Sequence, residues 1–237
     1  HIGQEYKVLF VYSVWEFLFR FLKIFLASWL FPKNKKNTIG LNEFLLIVDQ
    51  TKKIRREKKN ITTILVEPNI RLHNEKVYRH ADNVFCLALG DTDDPLHFST
   101  LFHPDSNKIS QGASIFNTNE EIDHSDGDKI IVCGSLPFAE MLKVKLDQEL
   151  GKNSYEIILR INCEGSEDSA IYGLHKVFKN QFKTILGTLT DVGKIKSSTE
   201  MKALLDYIEN NGLKFVPFST LMTTWKLASK EILSLLE

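Results

Sequence analysis

The chain has 237 residues, of which 43% are hydrophobic and 25% charged, and its formal net charge is zero. This length and composition indicate a globular protein with a sizeable core, and they exclude the disordered, collagen-like and disulfide-scaffold classes. Cys86, Cys133 and Cys163 show no C-x-x-C spacing, which indicates buried thiols in a reducing, cytoplasmic compartment.

The neutral total hides a basic first quarter and an acidic remainder. Residues 1–60 contain 12 Lys and Arg against five Asp and Glu, a net charge of +7, so the remaining residues carry −7. Much of the excess lies in the basic run 52–59. Such a run usually marks the solvated face of a helix, and contact with anionic lipid or nucleic acid is the alternative. Of these two partners, nucleic acid is not favoured.

The first predicted element is an apolar helix over Val8–Phe31. Its polar residues recur at steps of three, four and three, so they share one narrow stripe of the helix. They are Ser13, Glu16, Arg20 and Lys23. Three interpretations stay open: a helix buried in this fold or in an oligomer, a helix in the plane of a membrane or tilted in it, and the end of a larger membrane region. The lysines after Pro32 suit the last two, which makes residues 8–36 a candidate membrane-surface segment.

A second, basic helix is predicted over Leu41–Lys59, with Asn42 as its cap. Together the two helices make residues 1–60 a membrane-proximal or oligomerisation segment. Residues 61–237 then form the α/β domain, with a long polar insertion at 91–128. Insertions of this length in a compact domain are either functional loops or poorly ordered excursions.

Within the domain, apolar runs of strand length alternate with helical patterns. The predicted strands are Ile61–Val66, Val84–Leu89, Lys129–Cys133, Glu156–Ile161, Thr184–Leu189 and Lys214–Phe218. The predicted helices are Asn69–His80, Leu136–Leu150, Glu167–Phe182, Thr199–Asn210 and Thr220–Leu236. This alternation predicts the α/β class: a doubly wound, mostly parallel sheet with helices on both faces, Rossmann-like, preceded by the apolar amino-terminal helix.

Ligands of an open parallel sheet bind beyond the carboxyl ends of its strands. The strongest candidate is the turn Gly134-Ser135-Leu136, where glycine permits close approach and Ser135 caps the following helix. Free amides at this helix start would suit a phosphate or carboxylate. Gly90 and Asp91, after the preceding strand, complete the predicted ligand site. An ordinary strand-to-helix turn is the alternative.

The other turns carry structural rather than chemical signals. The carboxylates of 162–168 would repel an anion, so this turn is assigned to capping, and 197–200 fits the S-x-x-E capping box. Residues 187–195 resemble a phosphate-binding loop, but five residues separate the glycines in place of four. Ile195 also stands where a magnesium-binding Ser or Thr belongs, so this match is rejected.

Carboxylates and imidazoles follow the predicted strand Val84–Leu89 and precede Lys129–Cys133: Asp91, Asp93, Asp94, His97, His103, His124, Asp126 and Asp128. Such side chains bind metals or act as acid and base, and they are also of the types that make turns. The metal-dependent hydrolase below would use Asp91, Asp93 and His97. The sequence assigns no metal, cofactor or catalytic residue. The favoured function is a membrane-proximal or oligomeric sensor or regulatory domain, a homo-oligomer, that binds a nucleotide-like or other anionic small molecule. The alternatives are an enzyme, either a nucleotide-dependent oxidoreductase or a metal-dependent hydrolase, and a non-catalytic interaction subunit.

Overall fold

A computed structural model describes residues 6–9, 61–74, 81–103, 113–116 and 127–217. The strands are β1 Tyr6–Leu9, β2 Ile61–Thr62, β3 Ile64–Val66, β4 Asn83–Phe85, β5 Ala88–Gly90, β6 His97–Leu101, β7 Asp128–Gly134, β8 Tyr155–Ile161, β9 Phe182–Gly187 and β10 Lys214–Pro217. The helices are α1 Ser135–Leu150, α2 Glu167–Phe178, α3 Thr190–Ile195 and α4 Ser198–Asn210, with 3₁₀ turns at Leu72–Asn74 and Lys179–Gln181. The protein is therefore of mixed α/β class with parallel strands, as the sequence predicts.

The largest sheet is parallel throughout, with strand order β10-β9-β8-β1-β2. β1 lies inside it, since Lys7 pairs with Ile61 of β2 and with Glu156 of β8. The chain continues from β1 to β2 on one side, and from β8 to β9 and β10 on the other. Strand order therefore reverses between β1 and β8, and this boundary is the kind of switch point at which open α/β sheets bind ligands.

β1 corrects the start of the predicted amino-terminal helix, because Val8 and Leu9 belong to a strand. Tyr and Val favour strands, and pairing along both edges of β1 outweighs the helical spacing of the residues that follow. The rest of that helix and the whole basic helix, residues 10–60, lie outside the described residues. Among the residues that are described, no helix is long and apolar enough to cross a membrane.

Two smaller sheets account for the first half of the domain. β3 pairs in parallel with β4, while β5 pairs in parallel with β7, so the predicted strand Val84–Leu89 is divided between two sheets. β6 lies within the segment predicted as a polar insertion and runs antiparallel to β7, with Phe98 opposite Ile131. This pairing makes β6 a structured part of the domain. The sequence did not predict it, because Phe98 and Leu101 are separated by polar residues and form no apolar run.

Helix boundaries follow local chemistry. α2 ends at Phe178, four residues before the predicted end, because Lys179 has a φ of 44°, outside the helical region. α4 begins as predicted with a serine cap, since the Ser197 hydroxyl accepts a 3.1 Å hydrogen bond from the Glu200 amide. Of the predicted helix Asn69–His80, the described part contains the 3₁₀ turn, and the predicted helix Thr220–Leu236 lies outside the described residues.

The core lies between the strands β8 and β9 and the helices α1 and α2. Its fully buried side chains include Phe138, Leu142 and Leu146 of α1 and Ile171 of α2. A second cluster joins the small antiparallel region to the domain and contains Ala88, Leu101, Ile130 and Val132. Burying each large apolar side chain stabilises the fold by about 1.5–3 kcal/mol, so these contacts fix the strands whose carboxyl ends carry the candidate sites.

Candidate functional site

The predicted turn after β7 is closed by the turn after β5. Gly134 pairs with Gly90 across the two strands, so the structure brings two predicted site residues side by side. A Cβ atom on Gly134 would lie 2.4 Å from the carbonyl oxygen of Asp94. Real Cβ atoms do not approach backbone this closely, and the residue must therefore be glycine because the 91–94 backbone packs on it.

The first turn of α1 is also engaged within the chain. The Leu136 amide donates to the carbonyl oxygen of Thr92 at 2.9 Å. Ser135 is fully buried, and its hydroxyl donates to the carbonyl oxygen of Ser169 in α2 at 2.5 Å. The Leu136 amide that was expected to be free for an anion is therefore in use. The prediction that Ser135 caps α1 is wrong: Ser135 is the first residue of the helix, Gly134 is at the cap position, and the Ser135 hydroxyl ties α1 to α2.

Asp91, the fifth predicted site residue, belongs to a charged cluster. Its carboxylate accepts a 3.3 Å hydrogen bond from the Ser169 hydroxyl and lies 3.8 Å from Nζ of Lys196. The same Nζ donates to both oxygens of Asp168, at 2.8 and 2.9 Å. Lys196 and Asp168 are mostly buried, so this ion pair fastens the segment after α3 to the start of α2.

The turn after β8 binds a carboxylate from its own chain, that of Glu167. The carboxylate of Glu167 is fully buried and accepts hydrogen bonds from the amides of Cys163 and Gly165, each at 2.9 Å. Burial raises the pKa of Glu167, and these two amides act in the opposite direction. The turn was predicted to be capped by its own carboxylates, and Glu167 confirms this.

Of the candidate acid, base and metal residues, His103 and Asp128 come together, with Nε2 of His103 3.0 Å from Oδ2 of Asp128, whereas Asp91 and His97 have other partners. His97 lies in β6, and its Nδ1 is 2.9 Å from the carbonyl oxygen of Pro95 in its own turn. Asp91 belongs to the Lys196 cluster. Across the described ranges, no three His, Cys, Asp or Glu side chains are grouped as a metal would require.

A cavity of about 170 Å³ lies beside the switch point. Leu9, the last residue of β1, pairs with Ile158 of β8. The cavity begins beyond that pair and is lined by residues 159–163 on one side and 63–68 on the other. It therefore lies at the carboxyl ends of β8 and β2, the two strands that flank β1 in the sheet.

Most of the cavity wall is apolar. The apolar lining comes from one strand and two helices: Leu159 and Ile161 of β8, Phe138 of α1, and Ala170 and Leu174 of α2. Cavities of about 150 Å³ lined by such residues stay dry and accept a benzene-sized molecule. The size and lining therefore suit the body of a small apolar group.

The described lining also contains polar residues, and the charges of Glu67 and Arg160 both act on the Cys163 thiol; we call these three residues the polar end. Glu67 directly follows β3, and its carboxylate accepts a 2.8 Å hydrogen bond from the Asn69 amide. Burial raises the pKa of Glu67, while the Asn69 amide and the positive charges of His73 and Arg160 lower it. Burial therefore makes the ionised form of the Glu67 carboxyl group less favourable than in water, and the Asn69 amide offsets part of this cost.

The thiol at the polar end is chemically quiet. Burial raises the pKa of Cys163 to about 12. The negative charge of Glu167 adds to this rise, and the positive charge of Arg160 opposes it. Because a thiolate is the reactive form of cysteine, Cys163 is a packing residue at neutral pH. The prediction of three buried thiols is wrong for Cys86, which is exposed.

Part of the segment 91–128, which was predicted as a polar insertion, contributes to the cavity wall. Ala113 and Ile115 line the cavity. Between them, the Ser114 hydroxyl donates to the carbonyl oxygen of Glu164 at 2.8 Å, and Nζ of Lys196 lies 5.8 Å from the ring centre of Phe116. Residues 113–116 are therefore anchored to the turn after β8 and cover the crevice.

No family model, curated protein or solved structure matches this chain. The case for a site therefore depends on its own geometry.

Sequence reasoning missed the polar end, although a signal for it existed. Glu67 directly follows the predicted strand Ile61–Val66, and Cys163 follows the predicted strand Glu156–Ile161 with one residue between. Both positions satisfy the strand-end rule that singled out Gly134. What was lacking was β1: without Tyr6–Leu9 as a strand, the switch point between β1 and β8 could not be located.

Proposed function

We propose that this protein is a sensor or regulatory domain that binds a small molecule in the crevice beside β1 and β8. The observation that carries the proposal is the cavity itself: a mostly apolar chamber at a sheet switch point whose described lining includes Glu67 and Arg160. Binding sites are typically concave, mostly apolar and equipped with a few polar groups that orient the ligand. Each of these properties is present here.

The cavity size narrows the ligand. A volume of about 170 Å³ is below the roughly 300–1,000 Å³ of drug-sized pockets, so a whole nucleotide cannot be enclosed. The ligand body is therefore a single ring or a short branched chain. An anionic group on it would face Arg160, in keeping with the anionic ligand expected from the sequence.

We further propose the doubly wound, Rossmann-like arrangement, with helices on both sheet faces. Its support is the parallel order of the main sheet and the helices that join β7 to β8, β8 to β9 and β9 to β10. Association with a membrane face through residues 8–36, and assembly into a homo-oligomer, are also proposals. Their support is the apolar and basic composition of residues 1–60.

A benzene-sized probe tests the proposed cavity. Fluorobenzene titrated into the full chain should raise the unfolding temperature, because a ligand at ten times its Kd stabilises the native state by about 1.4 kcal/mol. The same titration, followed by ¹⁹F NMR, should show saturable broadening of the probe signal. Ala113→Leu places a larger side chain on the cavity wall and should remove both responses.

Ala203→Leu is the matched control, because Ala203 is exposed on α4 and far from the cavity lining. This variant should respond to fluorobenzene as the unchanged protein does. The proposal is refuted if the unchanged chain shows no saturable response, or if Ala113→Leu and Ala203→Leu respond alike.

A further inference from the structure

Ser166 is the N-cap residue of α2, yet its side chain does not cap the helix. A serine at this position normally has an extended backbone and accepts a hydrogen bond from an amide in the first turn. Ser197 at the start of α4 does so, with φ −170°, ψ 162° and a bond from the Glu200 amide. Ser166 has φ −103° and ψ 12°, and its hydroxyl makes no capping bond. The helix therefore begins at a serine that it does not use.

The Ser166 hydroxyl also lacks a partner elsewhere in the described part of the chain. Ser166 is buried, with 5% of its surface exposed. A buried polar group without a partner is costly and is uncommon in folded proteins. The other buried serines of the described ranges each donate a hydrogen bond: Ser114 to the Glu164 carbonyl, Ser135 to the Ser169 carbonyl and Ser169 to the Asp91 carboxylate.

The cavity accounts for this exception. Ser166 lines it together with Cys163 and Ala170. In the described part of the chain, Nδ1 of His103 is the side-chain polar atom that is both sealed from solvent and without a partner. The Ser166 oxygen, which also has no partner, is therefore not sealed, and the open space that Ser166 lines is the cavity. Its hydroxyl is thus available to form a hydrogen bond with a molecule in the cavity.

We propose that Ser166 orients the ligand, and that the ligand is a neutral ring or branched chain of about six carbons with one hydroxyl or carbonyl oxygen. The Ser166 hydroxyl donates a hydrogen bond to that oxygen or accepts one from it, and the apolar wall encloses the rest. This inference rests on the proposed small-molecule function and specifies the polar group of the ligand and the residue that meets it.

A neutral oxygen fits beside Ser166 better than a charged group does. The next residue, Glu167, is fully buried, and its carboxylate accepts hydrogen bonds from the Cys163 and Gly165 amides. A ligand carboxylate at Ser166 would bring a second negative charge close to this one, away from water. A ligand ammonium group would exchange its hydration for a single hydroxyl partner. An alcohol or a ketone is satisfied by the one hydrogen bond that a serine offers.

Pairs of probes with matched shapes test the inference on the full chain by calorimetric titration. Phenol and fluorobenzene differ in having a hydroxyl group or a fluorine on the same ring. Cyclohexanone and methylenecyclohexane differ in having an oxygen or a CH₂ group on the same ring. All four should bind to the unchanged chain, whereas benzoate should bind about tenfold more weakly than phenol, because its charge has no partner beside Ser166.

Ser166→Ala isolates the contribution of the hydroxyl. Relative to fluorobenzene and methylenecyclohexane, the binding of phenol and of cyclohexanone should weaken about fivefold, which is the usual contribution of one hydrogen bond. Fluorobenzene should bind as before. The urea midpoint should not fall, because no capping bond is lost.

Ser169→Ala is the matched control, since Ser169 lies one turn further along α2 and its hydroxyl bonds to Asp91. This variant makes the same change in the same helix at a residue outside the described cavity lining. It should keep the preference of the unchanged chain for phenol over fluorobenzene.

The outcomes separate this inference from the proposed function. Fluorobenzene binding with the same phenol preference in Ser166→Ala and Ser169→Ala would overturn the role of Ser166 and leave the cavity site standing. Tighter binding of benzoate than of phenol would overturn the neutral ligand in favour of the anionic ligand expected from the sequence. A lowered urea midpoint or a failure to fold in Ser166→Ala would show that the hydroxyl is structural and would also overturn the inference. If no probe binds, both proposals fail.

Discussion

The turns at the helix starts and the crevice beside β1 both hold polar groups with backbone partners, but they differ in how far those groups are closed off. At the turns after β7 and β8, the Leu136 amide donates to the Thr92 carbonyl, and the fully buried Glu167 carboxylate accepts hydrogen bonds from two amides. In the crevice, the Glu67 carboxylate also accepts a hydrogen bond from one amide, that of Asn69, but Glu67 is only partly buried and lines the cavity. The difference separates a carboxylate enclosed by its own turn from one that a ligand in the cavity can reach.

The largest expected effect comes from the turn after β7. Gly134→Ala should lower the free energy of unfolding by about 3 kcal/mol, because the new methyl group would overlap with backbone that cannot move aside easily. Urea unfolding measures the loss. Gly193→Ala is the matched control, since its Cβ would lie 3.5 Å from Met201 and a helical alanine is favoured over glycine.

The same variant tests the contrast between the two regions. Gly134→Ala should keep its response to fluorobenzene at a temperature where it is folded. If it kept full stability and lost that response, the turn after β7 would be the ligand site and the contrast would be broken.

A smaller loss is expected at the turn after β8. Glu167→Gln should lower the free energy of unfolding by about 2 kcal/mol, because an amide has one acceptor oxygen and its NH₂ group would face an amide N–H. Removing a buried charge would by itself be stabilising, so the sign of the change shows which effect dominates. Glu140→Gln, at an exposed position of α1, is the control and should be neutral. An unchanged or raised stability in Glu167→Gln would contradict the role given to its two hydrogen bonds.

The smallest effect, and the one most specific to the crevice, concerns Glu67. Its folded pKa lies above the ordinary value of 4.5, so the folded state binds more protons and loses stability as pH rises from that value through the raised pKa. Glu67→Gln keeps an acceptor for the Asn69 amide and removes this loss. The variant should therefore gain stability over the unchanged chain as pH rises from 4.5, with the gain level at higher pH.

Urea unfolding between pH 4 and 8 measures this difference, with Glu140→Gln as the control whose curve should parallel that of the unchanged chain. A variant at Glu67 that lost stability at neutral pH would indicate a structural role. A variant that gained stability would show that the Glu67 carboxylate is kept in the cavity lining at a cost in stability.

The sequence predicted the elements best where periodicity is long and local. α1, α4 and the strands β7, β8 and β10 were placed within a few residues, because their apolar spacing and caps are readable without knowledge of neighbours. β1 and β6 were missed because each is short and is stabilised by pairing with distant residues, such as Lys7 with Glu156 and Phe98 with Ile131. The site was missed for the same reason, since a crevice at a switch point exists only once the strand order is known.

The central claim is that the crevice beside β1 binds a small molecule, and a side chain in the cavity wall tests it most directly. Cys163 lines the cavity, whereas Cys86 is exposed, and with Cys133 they are the cysteines of the chain. In a Cys86→Ser/Cys133→Ser variant labelled with [3-¹³C]cysteine, saturating fluorobenzene should shift the Cβ NMR signal of Cys163. In a Cys133→Ser/Cys163→Ser variant, the signal of Cys86 should not shift. An unshifted Cys163 signal, or equal shifts at both cysteines, would contradict the claim that this crevice binds a small molecule.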